Sequence, residues 1–176
     1  VIRDTLIRLV AEDIPSLPEN VMEHWQHLWE SNAVNIIKEL RSYQPYRETA
    51  HWQPEMGWPK TEDKLMDIWN ACHPLIATLE ENNDINLCLE ALTKLPSAIN
   101  MRPRKADAWG SQEIFDEAKA TLGKLKEIIN ETIASIGKPL GDIDQKAAEL
   151  LPLWITLIQQ AQQVYKSRKQ EDGLLD

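Results

Sequence analysis

The chain has 176 residues, of which 43% are hydrophobic and 27% charged, the composition of a soluble domain long enough to bury a core. Its formal net charge is -9, and residues 1–100, with 8 basic and 16 acidic side chains, carry -8 of it. An acidic surface repels a phosphate backbone. The charge therefore excludes DNA binding by the whole domain and confines any contact to basic clusters in residues 101–176.

Cysteine use and hydropathy indicate the compartment. Cys72 and Cys88 each lie in an apolar helical stretch, which is typical of buried free thiols in a reducing cytoplasm. No run approaches the roughly 20 apolar residues of a membrane span, and Val1 opens no signal-peptide pattern. We expect a cytoplasmic protein without membrane contact. Because Val1 is not an initiator methionine, we also expect residues 1–176 to be one helical domain excised from a longer protein.

Apolar residues at spacings of three and four predict three short helices before residue 44. The first covers residues 1–11. The second opens with Ser16 near its cap and Pro18 in its first turn, and the third follows a restart at Ser31 and runs to about Tyr43.

Residues 44–60 contain three prolines and a glycine, which predict a loop with one helical turn inside it. Four further helices follow, most of them with a capping residue at the start and a Gly or Pro at the end. They are Thr61 to Leu79, Asp84 to Pro96, Ser111 to Ile136, and Asp142 (paired with Gln145 as a capping box) to the basic turn after Tyr165.

The fold class follows from this pattern. No stretch shows the alternation of a strand, so the sequence predicts an all-α helical array with no sheet. The two last helices are the longest, and the tight turn at Gly137 predicts that they form an antiparallel pair carrying the smaller helices. We expect Trp154 to be a buried anchor of that pair, so that alanine in its place would cost on the order of 3–5 kcal/mol.

The sequence contains no constellation of residues that could support catalysis. Neither of its two Gly-Lys pairs has the glycine-rich approach or the following Ser or Thr of a P-loop, so we predict no ATP site and no cofactor in this chain. His24 and His27 lie three apart without a further ligand, which favours a surface or packing role over a metal site. Adjacent residues on a helix point about 100° apart, so Cys72 and His73 are better explained by packing than as a nucleophile and its base.

The candidate DNA-binding residues form two basic clusters. The first lies in the loop after Pro96, where guanidinium groups could grip phosphates and an indole could stack on a base; the alternative is a solvated loop. It comprises Arg102, Arg104 and Lys105, with Trp109 nearby. The second lies at the end of the last helix, where basic side chains also suit the helix dipole without any DNA. It comprises Lys166, Arg168 and Lys169.

The end of the chain carries a family resemblance. A long amphipathic helix, its basic final turn and the word Gly173-Leu174-Leu175-Asp176 resemble the segment that leads into the Walker B strand in UvrD/Rep-type (superfamily 1) DNA helicases, particularly the RecB/AddA-like branch. The order of the preceding helices and of the tryptophan-rich loop is similar to the helical insertion that interrupts the first RecA-like motor domain of that family.

This resemblance implies a role in DNA repair and recombination. The parent would hydrolyse ATP with Mg²⁺ and translocate on single-stranded DNA. This chain would be an accessory domain that guides DNA, as a single strand or a duplex junction, or braces the motor domains of the same polypeptide. The residues also allow a different class of protein: a self-contained helical module that binds another protein through tryptophans and has no role with nucleic acid.

Overall fold

The computed structural model describes residues 17–60, 63–99 and 107–171. Its elements are α1 (Val21–Ser42), α2 (Gln44–Ala50), α3 (Lys64–Glu81), α4 (Ile85–Ala98), a 3₁₀ turn (Asp107–Trp109), α5 (Gln112–Ile136) and α6 (Asp142–Glu171). No strand occurs in the described ranges, which confirms the predicted all-α fold. The helix predicted for residues 1–11 and the cap at Ser16 lie outside them.

Two stretches of the first half differ from the sequence prediction. The second and third predicted helices are one continuous helix, α1, in which Ser31 and Asn32 are exposed and do not interrupt the backbone. Residues 44–50, predicted to be loop with a single helical turn, form the helix α2, which begins earlier than that turn. Pro45 lies in the first turn of α2, where the missing N–H of proline removes no hydrogen bond from the helix.

Side-chain caps fix where the later helices begin. The carboxylate of Asp63 accepts a hydrogen bond from the N–H of Leu65 at 2.7 Å at the start of α3; the predicted cap, Thr61, lies outside the described residues. Asp84 and Ser111 cap α4 and α5 as predicted. Asp84 accepts a hydrogen bond from the N–H of Asn86, the second residue of α4, at 2.8 Å. Ser111 accepts one from the N–H of Ile114, the third residue of α5, at 3.2 Å.

The start of α6 differs from the predicted capping box. The side-chain amide of Gln145 donates to Glu149 at 2.9 Å. The N–H of Gly141 is instead bound by the carboxylate of Asp144, at 2.8 Å, one residue before the position that the sequence pattern indicated. The end of α5 is as predicted, because Gly137 there adopts a φ of 75°, a conformation that side chains other than glycine's rarely allow.

The contacts divide the chain into two compact units, Trp29–Lys138 and Val1–Leu28 with Pro139–Asp176. The first unit contains the hydrophobic core. In it α3 packs on α4, while α5 packs on α2, α3, α4 and the 3₁₀ turn. The largest fully buried side chains come from α2, α3, α4, the residue that follows α4, and α5: Tyr46, Trp69, Leu79, Leu92, Leu95, Ile99, Leu122, Leu125 and Ile129.

One arginine ties three helices of this unit together. Arg41, in the last turn of α1, donates from Nε to the carbonyl oxygen of Leu79 at 2.6 Å and from the guanidinium to the carbonyl oxygen of Asn82. Its guanidinium also lies 3.5 Å from the Sγ of Cys88 in α4. Positive charge at the carbonyl end of α3 satisfies free carbonyl groups and suits the helix dipole.

In the second unit, α6 is not the buried helix that the sequence predicted. Ala148 and Ile158 are buried, but Trp154 is 52% exposed. The expectation of a buried Trp154 anchor is therefore wrong. Apolar residues extend more than halfway around α6, and a single neighbouring layer can cover only one side of a helix. The antiparallel pairing of α5 with α6 stays a prediction.

Candidate functional site

Four of the seven tryptophans meet in one cluster within the unit formed by residues 29–138. The rings of Trp52 and Trp69 are stacked, with centroids 5.5 Å apart. Trp58 lies against both, at 6.1 Å and 5.7 Å, and contacts Trp109 at 6.2 Å. Such pairs contribute about 0.5–1.5 kcal/mol each beyond the area they bury. The cluster therefore holds the loop after α2 and the 3₁₀ turn firmly on α3.

Two hydrogen bonds reinforce this arrangement. Trp109 donates from Nε1 to Asp63 at 3.0 Å, using the carboxylate oxygen that also caps α3. Trp52 donates from Nε1 to Glu117 of α5 at 2.9 Å. Each indole thus anchors a connecting segment to a helix by both its ring and its N–H.

A cavity of about 260 Å³ opens beside the cluster. Trp52 and Ile76 supply apolar walls, and His51 Nε2 lies 2.8 Å from the Glu80 carboxylate. With a second carboxylate at its edge, the cavity suits a cationic group and repels phosphate. Within the described ranges, no three His, Cys, Asp or Glu side chains come close enough together to bind a metal ion.

Two ionisable groups are buried in the core of the same unit. Burial raises the pKa of Cys72 to about 11. Burial also raises the pKa of Tyr46, with a further contribution from the Glu80 carboxylate that the Arg41 guanidinium opposes. Neither group is a nucleophile or a base at neutral pH, because the charged form of each is disfavoured. Cys72 and Cys88 are both buried free thiols, as the sequence predicted.

These shifts predict a loss of stability in alkali. The unfolded chain releases the Cys72 proton near the ordinary thiol pKa of 9.0, whereas the folded chain keeps it until about 11. The folded state thus binds more protons in this window, so the stabilisation is complete below pH 9 and is lost as pH rises to 11. We expect the free energy of unfolding in urea to fall by roughly 1–3 kcal/mol across it.

Two variants test whether Cys72 causes this loss of stability in alkali. Cys72→Ala should flatten the pH dependence, whatever it does to stability at neutral pH. Leu75→Ala, which removes a half-buried and non-ionisable side chain from the same helix, should leave the slope unchanged. A slope for Cys72→Ala equal to that of the parent would assign the alkaline loss to other groups.

The predicted DNA-binding residues fall into three environments. Arg102, Arg104 and Lys105 lie outside the described residues. Trp109 is only 4% exposed, so a base could not stack on its ring unless the core opened. The second basic cluster lies at the end of α6, as predicted. There Lys166 and Arg168 are exposed and Lys169 is half-buried. Trp109 belongs to the unit of residues 29–138, and the basic cluster of α6 belongs to the other unit.

Sequence reasoning missed the features that organise the core. It did not bring Trp52, Trp58 and Trp69 together with Trp109 in one cluster. It gave no role to Arg41, whose carbonyl partners lie 38 and 41 residues further along the chain. No local pattern signals contacts at that separation.

Comparison with known proteins found no family model, no curated protein and no solved structure that matches this chain. Among the helices of the described residues, none combines the length and the apolar character required to cross a membrane.

Proposed function

We propose that this chain is an accessory helical domain of an ATP-dependent UvrD/Rep-type DNA helicase, of the RecB/AddA-like branch, acting in repair and recombination. The Gly-Leu-Leu-Asp sequence motif at residues 173–176 and the order of the predicted helices support the assignment. In this proposal ATP and Mg²⁺ are bound by the motor domains of the same polypeptide, and this chain supplies no catalytic group.

The inward packing of the tryptophans favours bracing of the motor domains over guiding of DNA. A platform for single-stranded DNA needs aromatic faces that are open to solvent. The rings of Trp69 and Trp109 instead both contact the ring of Trp58 inside the cluster. We therefore assign bracing to the tryptophan-containing unit and leave direct DNA contact to the three basic residues at positions 102, 104 and 105, with at most a minor contribution from the basic turn at Lys166, Arg168 and Lys169.

The three basic residues at positions 102, 104 and 105 make a small contribution to DNA affinity that can be tested. Three phosphate contacts correspond to a slope of log affinity against log salt of only about -2 to -3, which predicts weak DNA binding by the isolated domain. Within a motor that already holds the strand, the same contacts act at high effective concentration. We expect Arg102→Ala/Arg104→Ala/Lys105→Ala to leave the fold intact, to reduce DNA unwinding by the parent enzyme and to flatten its salt dependence.

The measurement is unwinding by the parent enzyme across a salt series. The matched control is Lys38→Ala/Lys119→Ala/Lys124→Ala, which removes the same charge from exposed positions on α1 and α5. If the curves of the 102–105 variant and of the parent superimpose, this segment is a solvated connection and the domain acts through protein contacts alone.

A self-contained protein-binding module is the second candidate, and the exposed apolar residues of α6 favour it. The coding sequence after Asp176 separates the two proposals at little cost. An aromatic residue followed by acidic residues and a Walker B strand would support the helicase. A reading frame that closes without them would support the module.

A further inference from the structure

The exposed side of α6 carries a regular apolar seam. Eight residues recur at alternating spacings of four and three, which is the 3.5-residue repeat of helices that pack lengthwise on one another. They are Ile143, Ala147, Leu150, Trp154, Leu157, Ala161, Val164 and Arg168, and all eight are exposed. The buried residues Ala148 and Ile158 lie to one side of this seam, so α6 has a covered face and a second apolar face that the described residues leave uncovered.

The uncovered face is large enough for a stable interface. Five of the seam residues and the flanking Leu153 and Tyr165 are large apolar side chains, each between 52% and 84% exposed. Together they offer on the order of 800 Å² of surface, which is about what one partner contributes to an interface of standard size. Surface helices of monomers rarely present a continuous patch of this size.

The seam is complementary to itself when one copy is reversed. With two copies antiparallel and Trp154 beside Leu157 of the other copy, the next two layers on each side each pair a large side chain with a small one. Leu150 then lies opposite Ala161, and Val164 lies opposite Ala147. Layers of one large and one small side chain allow close packing without voids. A parallel arrangement would instead stack Ala161 on Ala161 and Trp154 on Trp154.

The charges of α6 favour the same orientation. Its first turn contains Asp142 and Asp144, and its last turns contain Lys166 and Arg168. In the antiparallel register, Arg168 of one copy falls in the layer of Ile143 of the other, next to both aspartates. Parallel copies would bring like charges together at each end, which is destabilising.

We propose that α6 pairs with α6 of a second copy of this chain, antiparallel and around a twofold axis between residues 155 and 156. The occupant of the uncovered face is thus the protein itself, and the interface is isologous. This inference goes beyond the proposed function and does not depend on it, because a symmetric pair can form in a helicase accessory domain and in a free interaction module alike.

The mass of the 176-residue chain in solution tests the pairing. Light scattering after size exclusion should give a dimer for the parent chain. Leu150→Asp/Leu157→Asp should give a monomer with an unchanged circular dichroism spectrum, because both side chains are exposed and their replacement leaves no cavity. Gln159→Asp, an exposed position on the opposite side of the helix, is the matched control and should remain dimeric. A monomeric parent chain, or a trimer or larger assembly, would overturn the proposal.

Disulfide trapping tests the orientation. Leu150→Cys and Ala161→Cys face each other only in the antiparallel register, so mixing the two variants under mild oxidation should give the mixed cross-link in several-fold excess over either homodimer. The two native thiols, Cys72 and Cys88, are buried, and the cross-linking of the parent chain measures the background that they contribute. Cross-linking of each variant mainly to itself would show a parallel pair and would also overturn the proposal.

Discussion

Replacement of Trp69 by alanine is expected to lower the free energy of unfolding by about 3–5 kcal/mol. Trp69 is fully buried, and its ring contacts both Trp52 and Trp58. Alanine would leave a cavity at the point where the loop after α2 is held on α3, and the loss of two ring contacts adds to the loss of buried area. Urea denaturation followed by circular dichroism measures the change.

The comparison variants separate cavity formation from a general sensitivity of the chain. Trp69→Phe keeps an aromatic ring and removes Nε1, which has no hydrogen-bond partner among the described residues, so its cost should be clearly smaller. Met56→Ala, at a position that is 80% exposed, should change stability by less than about 0.5 kcal/mol. A loss below about 1 kcal/mol for Trp69→Ala would mean that the aromatic cluster is not the centre of this core.

Replacement of Arg41 by alanine is expected to cost about 2–3 kcal/mol. The substitution removes two charge-assisted hydrogen bonds at the end of α3. It leaves the carbonyl oxygen of Leu79 without its arginine donor and that of Asn82 with only the Cys88 thiol, at 3.4 Å. Because Arg41 joins α1 to the end of α3 and lies beside Cys88 of α4, we also expect faster hydrogen exchange at the junction between these helices.

Arg41→Lys tests whether geometry or charge is responsible. Lysine retains the positive charge at the helix terminus but has no planar fork to reach both carbonyl groups, so it should recover only part of the loss. Arg47→Ala removes an exposed arginine from the neighbouring helix α2 and should be nearly neutral. Equal effects of Arg41→Ala and Arg47→Ala would contradict the role that we assign to Arg41.

The two proposals differ in what they require of the molecule. Bracing requires a rigid unit, which the tryptophan cluster and Arg41 provide within residues 29–138. Self-association requires only α6, and disruption of its seam should leave the stability of the rigid unit unchanged. Measuring unfolding and mass on the same seam variants therefore separates a loss of self-association from a loss of stability in the rigid unit.

The amino-acid sequence by itself determined the secondary structure of most of the described chain. Helical spacing of apolar residues and the absence of strand alternation were sufficient for the all-α class, and the caps Asp84 and Ser111 and the stop at Gly137 were readable because they act over three or four residues. The errors were also local: Ser31 did not break α1, and Pro45 began a helix rather than a loop. Both residues are compatible with helix at those positions, so propensity alone was ambiguous there.

The tertiary structure alone decided which apolar residues are buried and which groups meet. Helical periodicity predicted a buried Trp154, yet Trp154 is 52% exposed, whereas Trp69, on the apolar face of α3, is 0% exposed. A helical repeat specifies that a face is apolar, but the neighbour that covers this face comes from elsewhere in the chain or from another molecule. Trp109 was a candidate for stacking on DNA until Trp58 and Asp63 were found to occupy its ring and its N–H. Those contacts join residues 46 or more positions apart, and only the packing of the whole unit brings them together.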